Sequence, residues 1–92
     1  MIPTGTCYQD AWRRCVDNQN ENTILVHGRV NGTLHAWVEF TNAQGIYVWE
    51  PQSGITFEME EFAEIFVPVE HERYGQTKAL TLALKAKHYG PW

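Results

Sequence analysis

The sequence predicts an α+β fold in which an N-terminal helix packs on a small antiparallel sheet meander, with two further helices. Apolar residues near both ends of the chain recur every three or four positions, which is the spacing of a helix face. In the middle of the chain apolar and polar residues alternate, as they do in half-buried strands. A chain of 92 residues has the size of one domain, so residues 1–92 are predicted to form a single unit.

The first predicted helix covers residues 6–17, with Thr6 as its N-cap. Cys7, Ala11 and Cys15 recur at four-residue spacing and therefore share one face of this helix. Eight residues of helix separate the two cysteine positions by about 12 Å, which excludes a disulfide between them. Two further helices are predicted at residues 58–66 and 76–87.

Four strands are predicted between and after these helices. They cover residues 23–30, 34–41, 46–50 and 67–74. Asn31-Gly32 is a strong hairpin signal between the first two, because both residues accept the positive φ of a type I′ turn. Pro68 indicates an edge position for the last strand, since proline cannot donate a hydrogen bond to a neighbouring strand.

The register of the first hairpin decides what surrounds His35. A two-residue turn at residues 31–32 places Gly28 directly across from His35. The missing side chain of Gly28 is expected to leave open space beside the imidazole. The same register places His27 on the apolar face of the strand, where we predict a core histidine.

Cys7 is the candidate nucleophile because it falls in the first turn of the predicted helix. The positive end of the helix dipole and the unpaired backbone N–H groups there favour a thiolate and are expected to lower the pKa of Cys7. The same N–H groups are suited to stabilise the negative charge that develops during acyl transfer. The other interpretation of Cys7 is a buried, inert cysteine.

Glu50 ends the third predicted strand and is expected on the same face as His35. A four-residue loop at residues 42–45 places Glu50 opposite Trp37, whereas a two-residue loop places it opposite His35 itself. Both registers bring the carboxylate within reach of the imidazole, while a one-residue bulge would turn Glu50 to the other face. A carboxylate in that position would fix the tautomer of the ring and stabilise the imidazolium.

These three residues stand in a pattern that resembles the transglutaminase-like and papain-like cysteine enzymes. The pattern comprises Cys7 at a helix start, the segment His-Ala-Trp-Val-Glu that begins at His35, and Glu50 in Trp-Glu-Pro after the next strand. It covers residues 5–56. The resemblance implies a papain-like or transglutaminase-like core with Cys7 as nucleophile. It also implies His35 as general base and acid, and Glu50 as the carboxylate that orients the histidine.

The chain departs from that family pattern in three respects. Glu50 stands where the family has aspartate, which lengthens the third group by one methylene. Only six residues precede Cys7, so the upstream glutamine of papain-like proteases has no counterpart, and the backbone N–H groups of Cys7 and Tyr8 are expected to bind the oxyanion. A second lobe is also missing, so Trp37 and Gly28 are predicted to contribute to substrate binding.

The function predicted from this pattern is thiol-dependent acyl transfer by a cysteine peptidase or amidase, through an acyl-enzyme on Cys7. Hydrolysis is favoured over transfer to an amine, because so small a site would exclude water poorly. The alternative hypothesis is a non-catalytic binding or regulatory module on the same fold. A metal site built from Cys7, Cys15, His27 and His35 is disfavoured, since the cysteines lack C-x-x-C spacing and the histidines face opposite sides.

Composition restricts the partners and the compartment. The net charge is −4 and the seven Lys and Arg form no basic run, which argues against nucleic acid and anionic membranes as partners. The sequence shows neither a membrane-spanning apolar run nor a secretory signal, so a cytoplasmic setting is the expectation. No cofactor motif is present. The expected partners are a peptide or another amide-containing substrate, or a second protein.

Overall fold

The computed structural model describes residues 4–17 and 22–92, and these form three helices and one five-stranded antiparallel sheet. In chain order the elements are α1 (Thr4–Asp17), β1 (Asn22–Val30), β2 (Thr33–Asn42), β3 (Gly45–Glu50), β4 (Ile55–Glu58), α2 (Met59–Phe66), β5 (Pro68–Gly75) and α3 (Gln76–Ala86). The strands lie in the order β4-β3-β2-β1-β5. The predicted α+β class and its three helices are therefore confirmed. Within the described ranges, no helix combines the length and the apolar character that crossing a bilayer requires.

The first hairpin has the predicted turn and register. Asn31 and Gly32 adopt φ values of 50° and 80°, the left-handed conformation that a type I′ turn demands. Gly28 pairs with His35, as predicted from the two-residue turn. His27 falls on the opposite face of β1 and is only 5% exposed, so its prediction as a core histidine is confirmed.

The second hairpin decides between the two registers that the sequence left open. Thr41 pairs with Ile46, and the pairing continues without a shift to Val38 and Trp49. This is the register predicted for the four-residue loop, and it carries Glu50 to the face of the sheet that holds His35. The turn itself is tighter than predicted, because residues 42 and 45 also pair.

Two features of the sheet were not predicted from the sequence. A short strand, β4, pairs with β3 after a tight turn in which the Gly54 N–H donates to the Glu50 carbonyl at 2.8 Å. Its four residues are too few to show a clear alternation of apolar and polar residues, so β4 was not predicted. The last strand, β5, pairs with β1 rather than extending the meander. It lies at the sheet edge, where Pro68 was predicted to be.

The sheet carries an apolar core on each face. Helices α1 and α3 cover one face, where a cluster of buried residues comprises Tyr8, Ala11, Cys15, Leu25, Ala36, Val38, Tyr74 and Ala79. Helix α2 covers the other face, where the cluster comprises Val26, Val30, Trp37, Val48 and Phe62. Both cysteines are buried and free, in agreement with the predicted absence of a disulfide. The candidate site lies where α1 begins and β3 ends.

Candidate active site

The Glu50 carboxylate is held by the turn that follows β3. It is 2% exposed and accepts hydrogen bonds from two backbone N–H groups, that of Gln52 at 2.9 Å and that of Ser53 at 2.7 Å. The Ser53 hydroxyl donates a third bond at 2.7 Å. A buried carboxylate is stable only when its oxygens are paired in this way, so the turn at residues 50–54 keeps the side chain in one position.

His35 and Glu50 form a direct imidazole–carboxylate pair. His35 Nε2 lies 2.7 Å from Glu50 Oε2, and the two residues are 4% and 2% exposed. A carboxylate in this position accepts the Nε2 proton of a neutral imidazole, which fixes the tautomer and leaves Nδ1 with its lone pair. The lone pair on Nδ1 is therefore left without a bond to Glu50.

The pKa of Glu50 reflects the balance between burial and hydrogen bonding. Burial raises the pKa, but the hydrogen bonds from His35, from Ser53 and from the Gln52 N–H outweigh it and lower the pKa from 4.5 to about 2. The carboxylate therefore remains ionised at neutral pH, and its negative charge is available to stabilise an imidazolium on His35.

Cys7 lies three positions deeper in its helix than predicted, because it is the fourth residue of α1 and not the first after the N-cap. Helix α1 begins at Thr4, so Thr6 is inside the helix and is not its N-cap. Pro3 precedes this start in the sequence, and proline suits the beginning of a helix because it has no N–H to leave unpaired. The free N–H groups of the first turn then belong to residues 4–6, while those of Cys7 and Tyr8 fall where bonding within the helix begins. The role of Cys7 and Tyr8 as oxyanion donors stays a prediction.

The thiol of Cys7 is protonated in the resting site. Burial raises the pKa of Cys7, and the negative charges of Glu50 and Asp10 raise it further. Hydrogen bonding with the Gln52 side chain and with the backbone N–H of Cys7 itself opposes the rise only in part. The predicted lowering of the Cys7 pKa is wrong, because burial, and after it the negative charge of Glu50, disfavours a thiolate.

The structure thus brings the three predicted residues into one region through different contacts. His35 and Glu50 are hydrogen-bonded. Cys7 experiences the charge of Glu50 and contacts Gln52, which follows Glu50 by two residues. Among the described residues no hydrogen bond joins the thiol to the His35 ring. Bonds between catalytic groups are often long before substrate binds, so this arrangement is compatible with a thiol–imidazole pair that closes on binding.

Trp37 and Gly28 do not line an open substrate site. Trp37 is fully buried and packs against Phe62, with ring centroids 5.2 Å apart. Its Cη2 atom would lie 2.9 Å from a Cβ added at Gly28, so the indole fills the space that the glycine was expected to leave beside His35. Both residues belong to the core under α2, and substrate binding by them stays a prediction. Trp49 faces away from Glu50, as predicted, and packs on the opposite core.

Two residues of the site were missed in the sequence. Ser53 donates twice to Glu50, and Gln52 contacts both Glu50 and Cys7. The available signal was the stretch Glu-Pro-Gln-Ser-Gly, in which polar residues and a glycine directly follow the acid in a turn. Such turns often satisfy the side chain that opens them, but the approach of Gln52 to α1 depends on packing.

Neither a metal ligand set nor a known relative explains the site. In residues 4–17 and 22–92 no three His, Cys, Asp or Glu side chains converge as a metal ion would require. Comparison with protein-family models, with curated proteins and with solved structures gives no match. Function must therefore be inferred from the chemistry of Cys7, His35, Glu50 and Gln52.

Proposed function

We propose that this protein is a thiol-dependent acyl-transfer enzyme, a cysteine peptidase or amidase of transglutaminase-like or papain-like type. The observation that supports it most is the buried hydrogen bond of 2.7 Å between His35 Nε2 and Glu50 Oε2. An ionised carboxylate that orients a histidine, with a cysteine near the same carboxylate, supports the proposal because a thiol is activated by a base held in this way. A pair of buried ionisable groups is costly to retain for stability alone.

The reaction begins with transfer of the thiol proton of Cys7 to Nδ1 of His35. The resulting thiolate attacks the carbonyl carbon of the substrate, so that a C–S bond forms and negative charge moves to the carbonyl oxygen. His35 then gives its proton to the leaving amine as the C–N bond breaks. In the second half His35 takes a proton from water, the hydroxide attacks the thioester, and the thiol is restored when the C–S bond breaks.

The high pKa of the resting thiol fits a mechanism in which the proton moves when substrate arrives. Glu50 disfavours a second negative charge on Cys7, but it favours the positive charge on His35. Transfer of the proton therefore creates an ion pair between thiolate and imidazolium rather than an isolated thiolate. Substrate that excludes water from this buried site would strengthen the attraction within the pair.

Gln52 is the donor best placed to stabilise the oxyanion. Its side chain hydrogen-bonds with the Cys7 thiol, and its backbone N–H is fixed on the Glu50 oxygen that also binds His35. An amide N–H₂ beside the attacking sulfur lies close to the position where the carbonyl oxygen becomes negative. Gln52 would thereby take the role that an upstream glutamine has in the family pattern.

Thiol labelling tests the proposal. With iodoacetamide near neutral pH, Cys7 is expected to react faster than Cys15, and the excess rate is expected to disappear in His35→Ala and to fall in Glu50→Gln. Cys15 is an internal control, because it is fully buried and hydrogen-bonds with Thr23. Mass spectrometry of digested protein would measure both rates. A Cys7 rate that is unchanged in His35→Ala would contradict the proposal.

A non-catalytic binding module is the second candidate function. The 4% exposure of Cys7 and the raised pKa of its thiol favour it, because both slow attack on an external carbonyl. In that case the imidazole–carboxylate pair would hold the turn at residues 50–54 in place. Activated esters separate the two functions, since an enzyme would release a burst of leaving group equal to the protein present and a binding module would release none.

A further inference from the structure

A second group of polar side chains lies on the opposite face of the sheet from the imidazole–carboxylate pair. A pocket of about 210 Å³ opens there beside α1, at the end of the first hairpin. We call it the aromatic pocket and define it by Tyr8, His27, Tyr74 and Trp92, which line it. His27 points away from His35, because the two residues are one register position apart on paired strands.

Three polar atoms in this pocket are buried without a partner. They are the Tyr8 hydroxyl and both ring nitrogens of His27, which make no hydrogen bond to any described residue. Tyr8 is 3% exposed and His27 is 5% exposed. An unsatisfied buried donor or acceptor costs about 1–3 kcal/mol, so three in one pocket are expensive unless something binds them.

Aromatic rings surround His27 and give the pocket flat walls. The ring centroids of Tyr8, Tyr74 and Trp92 lie 4.8, 5.0 and 5.0 Å from that of His27. Tyr8 and Tyr74 present their edges to the imidazole, and Trp92 is tilted against it. Walls of this kind favour a planar group of modest size, because such a group contacts them without leaving gaps.

The segment of residues 88–92 covers His27 but makes no hydrogen bond to its ring nitrogens. A methyl group added at Gly90 would overlap Cε1 of His27, so the backbone of Gly90 lies against the edge of the ring that carries both nitrogens. Yet the Gly90 N–H donates to His88 Nδ1 at 3.1 Å, and the Trp92 indole N–H donates to the His88 carbonyl at 2.9 Å. The segment closes the pocket while its own donors are used elsewhere.

The charge of the pocket favours a neutral ligand. Burial keeps His27 uncharged at neutral pH by lowering its pKa to about 4. The charged residues on the lining, Arg29 and Glu72, are exposed and of opposite sign. A neutral imidazole has one N–H donor and one bare nitrogen acceptor, so its ligand must supply both an acceptor and a donor.

We propose that the aromatic pocket binds the carboxamide group of a small, planar, neutral ligand. The amide oxygen accepts the N–H of His27, and the amide N–H₂ donates to the Tyr8 hydroxyl, since the two ring nitrogens point in diverging directions and one amide reaches only one of them. A primary amide carries both functions in one plane, whereas a carboxylate has no donor and a ketone has only an acceptor. This binding site is independent of acyl transfer at Cys7.

Titrations followed by nuclear magnetic resonance test this site with three ligands of the same shape. Benzamide is expected to shift the ring nitrogen resonances of His27 saturably, while benzoate and acetophenone bind about tenfold more weakly, which is the effect of losing about one hydrogen bond. His27→Phe keeps a ring in place but removes both nitrogens, and about a tenfold loss of benzamide affinity is expected. Tyr8→Phe removes only one hydroxyl and is expected to weaken binding about threefold.

The outcome does not depend on whether His27→Phe folds, because the three ligands are also compared on the unaltered protein. Equal binding of benzamide, benzoate and acetophenone would overturn the proposal, since it would show only apolar contact. Absence of any saturable shift with benzamide would overturn it too and would leave ordered water as the sole partner of the three polar atoms. Labelling of Cys7 is a separate measurement, so failure here and failure of the proposed function are distinguishable.

Discussion

Gln52 contacts two functional groups of the candidate site, the Glu50 carboxylate and the Cys7 thiol. Its backbone N–H helps to hold Glu50, and its side chain contacts the thiol of Cys7. The two contacts are separable, because a substitution removes the side-chain amide and leaves the backbone bond in place. Gln52 is therefore the position at which stabilisation of the oxyanion can be tested with little disturbance to the imidazole–carboxylate pair.

Gln52→Ala is expected to lower kcat for an activated ester or amide substrate by about tenfold to a hundredfold, with little change in KM. The reason is that an oxyanion donor bonds more strongly to the transition state than to the substrate. Gln44→Ala is the matched control, since Gln44 is also an exposed turn residue whose backbone N–H donates to a side chain two residues earlier. Steady-state kinetics would check both variants. An equal effect of the two substitutions would contradict the role given to Gln52.

The first hairpin and α2 are connected through Gly28. The backbone of β1 approaches Trp37 so closely at this point that no side chain fits between them. Trp37 in turn contacts Phe62 of α2 and the ring of His71, at centroid distances of 5.2 and 5.7 Å. The backbone of Gly28 is not in the left-handed region, so its conformation does not require a glycine. The close packing against Trp37 does.

Gly28→Ala is expected to destabilise the protein by about 1–3 kcal/mol, because the new methyl group would lie 2.9 Å from Trp37 and 3.1 Å from the Val69 carbonyl oxygen. Gly75→Ala is the control, since a Cβ there meets nothing within 4 Å; Gly75 is the N-cap of α3, so this change is expected to cost about 0.5–1 kcal/mol through capping alone. Urea unfolding followed by tryptophan fluorescence would measure both. Equal stability of the two variants would show that Trp37 can shift without cost.

The whole molecule is expected to lose stability in acid in two steps. The pKa of His27 is lowered by burial from 6.5 to about 4, so the unfolded chain binds the proton more readily and stability falls as pH drops through that range. The pKa of Glu50 is lowered from 4.5 to about 2, so its contribution is complete above about pH 4.5 and is lost toward about pH 2. Each step corresponds to about 3 kcal/mol.

Substitution separates the two steps. His27→Phe is expected to abolish the loss between about pH 6.5 and 4, and Glu50→Gln is expected to abolish the loss between about pH 4.5 and 2. Denaturant unfolding at a series of pH values would show both effects as changes in the slope of the unfolding free energy against pH. Glu72 pairs with His27 across the strands, so Glu72→Gln is a control that tests whether a neighbouring charge contributes. If the unfolding free energy of His27→Phe still fell with pH above pH 4.5, the assignment of that loss to His27 would be contradicted.

Much of the site could be predicted because its registers are set by short turns. Asn31 and Gly32 determine that Gly28 pairs with His35, and the loop at residues 42–45 determines the face of Glu50. The sequence alone could not show that Trp37 would cover Gly28. Trp37 lies on the same face of the sheet as His35. Its packing in a core, rather than in an open cleft, depends on α2, which is distant in the sequence.

The sequence by itself determined the α+β class, the three helices, the register of the first hairpin and, in either register of the second, the common face of His35 and Glu50. These features follow from interactions between residues close together in the chain, where periodicity and turn conformation leave few alternatives. Only the tertiary structure decided that β5 pairs with β1, that Gln52 approaches Cys7 and that the protein covers His27 with aromatic rings. Each of these joins segments distant in sequence, and their positions depend on how the two cores pack as a whole.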